Sequence, residues 1–121
     1  MVAHPISHLE LSAEDPAAAS RFYADLFGWK IDHNEKHDYY IFEGEGGPRG
    51  GFVQVDDKEH KPGDVVVYFD TDDIDASLKQ VEALGGKVLQ PKTEIPGVGT
   101  YALFADPTGN RLGLFTGVTR P

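Results

Sequence analysis

The chain contains no cysteine and only one methionine and one tryptophan. Without thiols it cannot form a disulfide, a thiolate zinc site or a cysteine nucleophile, so any metal would need histidine, carboxylate, amide or water ligands. A chain free of cysteine suits a reducing compartment, and we expect a cytoplasmic protein.

Long apolar segments and basic clusters are also missing. The longest strongly apolar run, Val65 to Phe69, is far shorter than the roughly 20 residues that cross a bilayer, and residues 1–8 lack a basic and then apolar leader. We therefore expect neither export nor membrane insertion. Eleven Lys and Arg residues stand against 20 Asp and Glu residues, a formal net charge of −9, which excludes nucleic acid as an expected partner.

The chain instead contains an internal repeat of structural signals. Its 121 residues, 40% of them hydrophobic, suffice for a single domain spanning residues 1–121. When the chain is aligned with itself so that His8 pairs with Val66, a strand, an acidic helix cap, an apolar helical stripe and a terminal glycine recur in the same order.

Each copy contains one predicted helix. Asp15 and Asp73 are predicted to cap the helix starts, and glycines at Gly28 and Gly85 to Gly86 are predicted to end them. Between these signals, apolar residues recur at helical spacing. They are Ala19, Phe22, Tyr23 and Leu26 in the first copy, and Ile74, Leu78, Val81 and Leu84 in the second.

Three strand-like runs follow each helix, separated by Gly-rich and Pro-rich turns. They are Trp29 to Asp32, Tyr39 to Glu43 and Gly51 to Val55, then Lys87 to Gln90, Thr100 to Phe104 and Arg111 to Thr116. The pattern predicts βαβββ twice. Module one covers about residues 4–56, module two covers about residues 64–118, and the polar stretch Asp56 to Gly63 is the predicted linker.

Strand alternation assigns the faces of the first strand in each module. Leu9 and Leu11 should pack against a helix, which turns His8 and Glu10 to the opposite side. The same reasoning turns Val67 and Phe69 towards a helix. We expect His8, Glu10, Val66 and Tyr68 to face one concave space.

Five segments together resemble the vicinal oxygen chelate superfamily, which includes glyoxalase I, extradiol dioxygenases and bleomycin-resistance proteins. They are Ile6-Ser-His8-Leu-Glu10, Ser20-Arg-Phe22-Tyr23-Ala-Asp-Leu26-Phe-Gly28-Trp29, Asp72-Asp-Ile-Asp-Ala76, Leu84-Gly-Gly86-Lys-Val88 and Phe104-Ala-Asp-Pro-Thr-Gly-Asn110. The resemblance implies an α+β fold in which two tandem βαβββ modules form a curved mixed eight-stranded sheet with helices on its outer face. It looks closest to small stand-alone glyoxalase-like proteins.

In metal-dependent members of this superfamily, the first, fourth, fifth and eighth strands each supply one ligand. His8 stands at the first position and Gln54 aligns with the fourth, so these two residues are the remaining metal candidates. Val66 and Gly113 stand at the other two positions and offer no ligating side chain. An imidazole and an amide alone hold a divalent cation poorly. No resident cofactor is therefore expected, and a divalent metal is the alternative.

Candidate site residues follow from the resemblance and from strand alternation. His8 and Glu10 are the catalytic candidates, because both can exchange a proton. The predicted ligand-binding set is His8, Glu10, Tyr40, Phe52, Gln54, Tyr68 and Tyr101. Trp29 is expected near the cavity rim or in a dimer contact, and Arg49 is a candidate anchor for an anionic ligand. The remaining histidines, His4, His33, His37 and His60, are expected to be exposed.

Two functions remain open at this point. One is a metal-free protein that binds or sequesters a small aromatic or polar metabolite. The other is a lyase, isomerase or dioxygenase-type enzyme that uses His8, Glu10, a tyrosine or a recruited divalent metal. In both cases the expected partners are a small-molecule ligand and a second copy of the chain in a homodimer.

Overall fold

The structure is a computed structural model that describes residues 3–56 and 60–117. Part of the predicted linker, residues 57–59, and the predicted end of module two at residue 118 lie outside this range. Module one contains β1 (Ile6–Ala13), α1 (Pro16–Phe27), β2 (Lys30–Asn34), β3 (Tyr39–Glu43) and β4 (Arg49–Gln54). Module two contains β5 (Val65–Asp70), α2 (Ile74–Ala83), β6 (Lys87–Ile95), β7 (Gly99–Ala105) and β8 (Arg111–Gly117).

Both helices begin and end at the predicted signals. The Asp15 carboxylate accepts a hydrogen bond from the Ala18 amide at 3.1 Å, and Asp73 does the same for Ala76 at 3.0 Å. These bonds satisfy amide groups that the first helical turn leaves unpaired. At the other end, Gly28 follows α1 directly and has a left-handed φ of 71°. Residues with a side chain adopt this conformation less readily than glycine does.

The strands of each module pair in the same pattern. In module one the order is β2-β3-β4-β1, with β1 parallel to β4 and the other pairs antiparallel. In module two the order is β5-β8-β7-β6, with β5 parallel to β8. The predicted α+β class is confirmed, as two βαβββ modules with eight strands of mixed direction and two helices.

The largest difference from the predicted boundaries lies in β6. This strand continues to Ile95, beyond the predicted end at Gln90, and its register against β7 shifts on both sides of Gln90. The extended strand includes Pro91, which has no amide hydrogen to donate. Because β6 lies at the end of the strand order of its module, an irregular pairing accommodates the proline there.

The chain divides into two compact units, one of residues His8–Val66 and one of the described residues before and after it. In the first unit Phe52 is only 1% exposed, and its ring stacks on Tyr23 of α1 at 5.6 Å between centroids. In the second unit α2 packs through a buried cluster of Ile74, Leu78, Ala102 and Leu114.

The predicted apolar stripe of α1 is only partly buried, which corrects the expectation from helical spacing. Tyr23 packs against the sheet, whereas Phe22 and Leu26 remain 59% and 58% exposed. The buried face of α1 is therefore narrower than the spacing of its apolar residues predicts. Within the described ranges, neither helix is long and apolar enough to cross a membrane.

Candidate functional site

The site is built on the parallel pair β1 and β4 in the first unit. His8 lies beside Arg49, and Glu10 lies beside Gly51, in the register of the two strands. Laterally paired residues project to the same side of a sheet, and that side alternates along each strand. His8, Glu10 and Arg49 therefore share the sheet face that points away from α1.

Tyr39 of β3 joins His8 to Glu10. Its hydroxyl lies 2.8 Å from Nε2 of His8 and donates to Oε2 of Glu10 at 2.9 Å. The ring of Tyr39 occupies the space in which a side chain at position 51 would lie, so Gly51 admits the tyrosine to this face. A glycine inside a strand here allows close approach of a functional group.

His60, between the two modules in sequence, extends the series from the other side of Glu10. Its Nε2 lies 3.4 Å from Oε1 of Glu10, and its Nδ1 lies 3.2 Å from Oδ2 of Asp56. The His60 side chain is 15% exposed and that of Glu10 is 13% exposed. The Asp56 side chain is 49% exposed, so His60 lies between one buried carboxylate and one that water partly screens.

The pKa values of the two histidines shift in opposite directions. Burial lowers the pKa of His8 from its ordinary value, the charge on Glu10 opposes that effect, and Arg49 adds to the lowering. The hydrogen bond to Glu10 is the main cause that raises the pKa of His60, and Asp56 adds to it against the effect of burial. His8 therefore favours its neutral form, whereas His60 favours its charged form.

The pKa of Glu10 is lowered despite its burial. Burial acts to raise it, but hydrogen bonds from His60 and Tyr39 and the positive charges nearby outweigh that effect. Because the Tyr39 hydroxyl donates to this carboxylate, the hydroxyl oxygen accepts from Nε2–H of His8. The arrangement is thus a directed series of hydrogen bonds, and such a series can orient a ligand or relay a proton.

Three of the predicted ligand-binding residues lie on the opposite sheet face from His8. Phe52 pairs laterally with Leu11 and Tyr40, and Gln54 pairs with Ala13. Phe52 is in the core under α1, Tyr40 stacks on His33 at 4.1 Å, and Gln54 donates to the carbonyl of Glu14. The expectation that these residues share a pocket wall with His8 is therefore wrong. In both β3 and β4 the side chains alternate one residue out of step with the predicted alternation.

Tyr68 and Tyr101 lie in the second unit, on the strand face that points away from α2. Tyr68 pairs with Gly113 and Tyr101 pairs with Phe115, whereas Phe69 on the other face packs against the α2 core. Tyr68 is 7% exposed and Val66, at the end of the first unit, is 2% exposed. Whether these residues share one space with His8 stays a prediction.

The residues at the superfamily's metal positions do not fit its ligand set. Val66 offers only an apolar side chain. At Gly113, the ring of Tyr68 occupies the space that a ligating side chain would need. Among the residues that the structure describes, no three His, Asp or Glu side chains converge as a metal site would require.

Two residues of the site were not predicted. His60 was expected to be exposed but pairs with Glu10, whereas His4, His33 and His37 are exposed as expected. Tyr39 was not among the predicted ligand-binding residues, because it precedes three further strand-forming residues, which hide the phase of β3. The neighbouring pair Gly50 and Gly51 was the available signal, since glycines inside a strand indicate close approach of other groups.

Two other predicted residues have local partners. Arg49 pairs with Glu43 at 3.4 Å, and its side chain is largely exposed. Trp29 stacks on Phe42 with centroids 4.3 Å apart. Neither contact tests an anionic ligand or a dimer, so both roles stay predictions.

Comparisons with known proteins agree with this fold. Residues 5–114 match the model of the Glyoxalase/Bleomycin resistance protein/Dioxygenase superfamily. The chain is 34% identical to the anthracycline biosynthesis protein DnrV of Streptomyces peucetius, over 83% of this chain and 42% of the relative. It is 30% identical to the putative glyoxylase CFP32 of Mycobacterium bovis, over 88% of this chain and 43% of the relative. The chain thus spans less than half the length of these two relatives.

Another relative is matched along nearly all its length, a glyoxylase-like domain-containing protein of Didymella fabae with 31% identity over 96% of this chain and 97% of the relative. Among solved structures, methylmalonyl-CoA epimerase from Mycobacterium tuberculosis superposes with a TM-score of 0.72 at 14% identity, over 94% of this chain and 88% of that one. A superfamily member from Vibrio splendidus gives 0.66 at 14% identity, over 96% and 100%. The chain therefore belongs to the glyoxalase, bleomycin resistance protein and dioxygenase superfamily.

Proposed function

We propose that the protein binds a small organic molecule without a resident metal, on the module-one sheet face that carries His8, Tyr39 and Glu10. The observation that supports this most is the part-buried series from His8 through Tyr39 and Glu10 to His60, in which consecutive groups lie 2.8, 2.9 and 3.4 Å apart. A few fixed polar groups on an otherwise packed face are typical of small-molecule sites.

The absence of a resident metal is part of this proposal. Val66 and Gly113 remove two of the superfamily's four ligands, and the Tyr68 ring fills the space beside Gly113. His8 is already hydrogen-bonded to Tyr39, and Gln54 lies on the other sheet face. The two remaining candidates therefore do not converge on one ion.

Proton transfer to a bound molecule is the second candidate function. A neutral His8, linked through the Tyr39 hydroxyl to an anionic Glu10, resembles in principle the base and orienting group of many acid–base sites. A binding protein would use the same groups only as hydrogen-bond partners. The two functions differ in whether the ligand is recovered unchanged.

Binding can be tested with His8→Ala and Tyr39→Phe, with Gln54→Ala as the matched control on the opposite face. An anthracycline is a reasoned first probe, because one relative is an anthracycline biosynthesis protein. A panel of small carbonyl and aromatic metabolites would follow in calorimetry. We expect the site variants to weaken binding at least about tenfold, or about 1.4 kcal/mol, and the control to leave it unchanged.

The same samples test the metal. After purification without chelators, elemental analysis should find zinc, nickel, manganese and iron well below one ion per chain. One ion per chain that is lost in His8→Ala would contradict the proposal, as would ligand binding that neither site variant affects. Mass spectrometry of the recovered ligand separates binding from catalysis.

The homodimer is also proposed, with the exposed Phe22 and Leu26 of α1 as its contact. These two exposed side chains lie one helical turn apart, and contiguous apolar surface commonly marks an interface. Light scattering at micromolar concentration should give twice the mass of the chain, and Leu26→Glu should give the monomer mass. A monomeric wild-type protein would contradict the dimer without affecting the ligand site.

A further inference from the structure

An open cavity lies at the end of α1, away from the hydrogen-bonded series. Its volume is about 630 Å³, and it is lined by Phe27, Gly28, Trp29, Gly44 and Glu45. This volume falls within the range of small-molecule pockets. The lining combines two aromatic rings, a carboxylate and two glycines, so its chemistry differs from that of the site around His8.

Aromatic neighbours hold the ring of Trp29 in place. It stacks on Phe42 at 4.3 Å and on Tyr23 at 5.4 Å, and its centroid lies 5.3 Å from that of Phe27. Its indole edge, with Nε1, lies against Gly44, where an added side chain would crowd it. Within the described ranges no residue accepts a hydrogen bond from this Nε1. A rigid donor is therefore presented at the cavity wall.

Phe27 and Glu45 also line the cavity, and both side chains are exposed to solvent. Phe27 is 57% exposed although its ring is apolar, and Glu45 is exposed in the turn after β3. The nearby Arg49 is paired with Glu43, and no described Lys or Arg pairs with Glu45. An aromatic face beside a carboxylate with no basic partner attracts an organic cation. The formal net charge of −9 also favours a positively charged ligand.

We propose that this cavity binds a small organic ammonium ion that carries a hydroxyl group. Its cationic head lies between the Phe27 ring and the Glu45 carboxylate, and its hydroxyl oxygen accepts from the Trp29 indole. This site is independent of the function proposed for the module-one sheet face.

Choline is a suitable probe, and 3,3-dimethylbutan-1-ol is its uncharged counterpart of the same shape. Because Trp29 is the only tryptophan in the chain, its fluorescence and its indole NMR resonance report on this cavity alone. We expect choline to shift both signals saturably, with a dissociation constant on the order of millimolar. The uncharged alcohol should bind at least about fivefold more weakly.

Two variants of equal charge change separate the cavity from general attraction. Glu45→Gln should weaken choline binding about threefold to fivefold, and Glu35→Gln, exposed in the turn at the opposite end of the β2–β3 hairpin, should leave it unchanged. Phe27→Leu should weaken it by a similar factor. The proposal is overturned if neither Trp29 signal responds to choline, if the alcohol binds equally well, or if both glutamate variants behave alike.

Discussion

The two modules have the same order of elements and the same packing of strand against helix, yet they differ on the opposite strand face. In module one that face carries a hydrogen-bonded series of ionisable side chains, and Gly51 makes room for Tyr39. In module two it carries Tyr68 and Leu103, both buried, and Gly113 makes room for the Tyr68 ring.

The comparison shows which part of the module the fold requires. The helix-facing side must be apolar in both modules, because α1 and α2 bury their contacts there. The other side tolerates either an ionisable network or an aromatic wall, since a glycine on the neighbouring strand provides the space in both cases. The proposed function of this chain therefore belongs to a face that the fold leaves variable.

The largest expected effect comes from truncating side chains on the apolar, helix-facing side that the two modules share. Phe52→Ala should cost about 3–5 kcal/mol and Leu114→Ala about 2–5 kcal/mol, because each leaves a cavity under its helix. Urea unfolding measures both changes. If Phe52→Ala cost less than about 1 kcal/mol, Phe52 would belong to a ligand pocket and not to the core.

The glycines that admit an aromatic ring provide the next largest effect. Gly51→Ala and Gly113→Ala should each cost about 1–3 kcal/mol, since the new methyl group would overlap the ring of Tyr39 or Tyr68. Gly47→Ala is the control, because no group of the described residues lies within 4 Å of its added methyl. The comparison of modules predicts that only the Gly51 variant shifts the titration of His8.

An equal decrease in the free energy of unfolding in Gly47→Ala would show that the effect comes from the backbone and not from ring overlap. Rescue is a further check. In a Tyr68→Ala background the Gly113→Ala substitution should become nearly neutral, because the ring that it overlaps is gone.

A smaller and pH-dependent effect separates the charged face from the apolar one. The raised pKa of His60 means that its stabilisation is fully present below the ordinary value of 6.5 and is lost as the pH rises through the raised value. The lowered pKa of Glu10 means that its contribution is present above 4.5 and is lost as the pH falls through the lowered value. The pair therefore stabilises most between these two limits.

His60→Ala should thus cost about 1–3 kcal/mol at pH 6 and clearly less at pH 9. Leu103→Ala, on the apolar face of module two, should cost the same at both pH values. Thermal melts of the two variants beside the wild type provide the measurement. A pH-independent loss in His60→Ala would contradict the ion pair with Glu10.

The smallest expected change is that of Gln54→Ala. This side chain is exposed and makes one hydrogen bond to the carbonyl of Glu14, so its removal should change the free energy of unfolding by less than about 0.5 kcal/mol. Ligand affinity should not change either. A large loss of affinity would return Gln54 to the site.

Helix caps and the repeated order of elements could be predicted from the sequence because each depends on local chemistry. Asp15 and Gly28 act within one helical turn, and the strand of His8 and Glu10 alternates clearly between polar and apolar residues. The facing of β3 and β4 could not be predicted in this way. Tyr39 and Tyr40 are both strand formers, and only the pairing register decides which of them joins His8.

His60 was missed for a different reason. It lies in a polar segment, where most side chains are solvated, and its partner Glu10 is fifty residues away in sequence. A local pattern carries no information on such a contact. Asp56, four residues before His60, was the nearest available hint, because its carboxylate also accepts from the His60 amide.

The central claim is that His8 favours its neutral form because it is buried, whereas His60 favours its charged form because it is hydrogen-bonded to Glu10. Resolving their individual titrations by NMR of the imidazole resonances measures this directly. We predict that His60 titrates above 6.5 and His8 below it, and that Glu10→Gln lowers the pKa of both residues. Two histidines that titrate together near 6.5, or that do not respond to Glu10→Gln, would contradict the account.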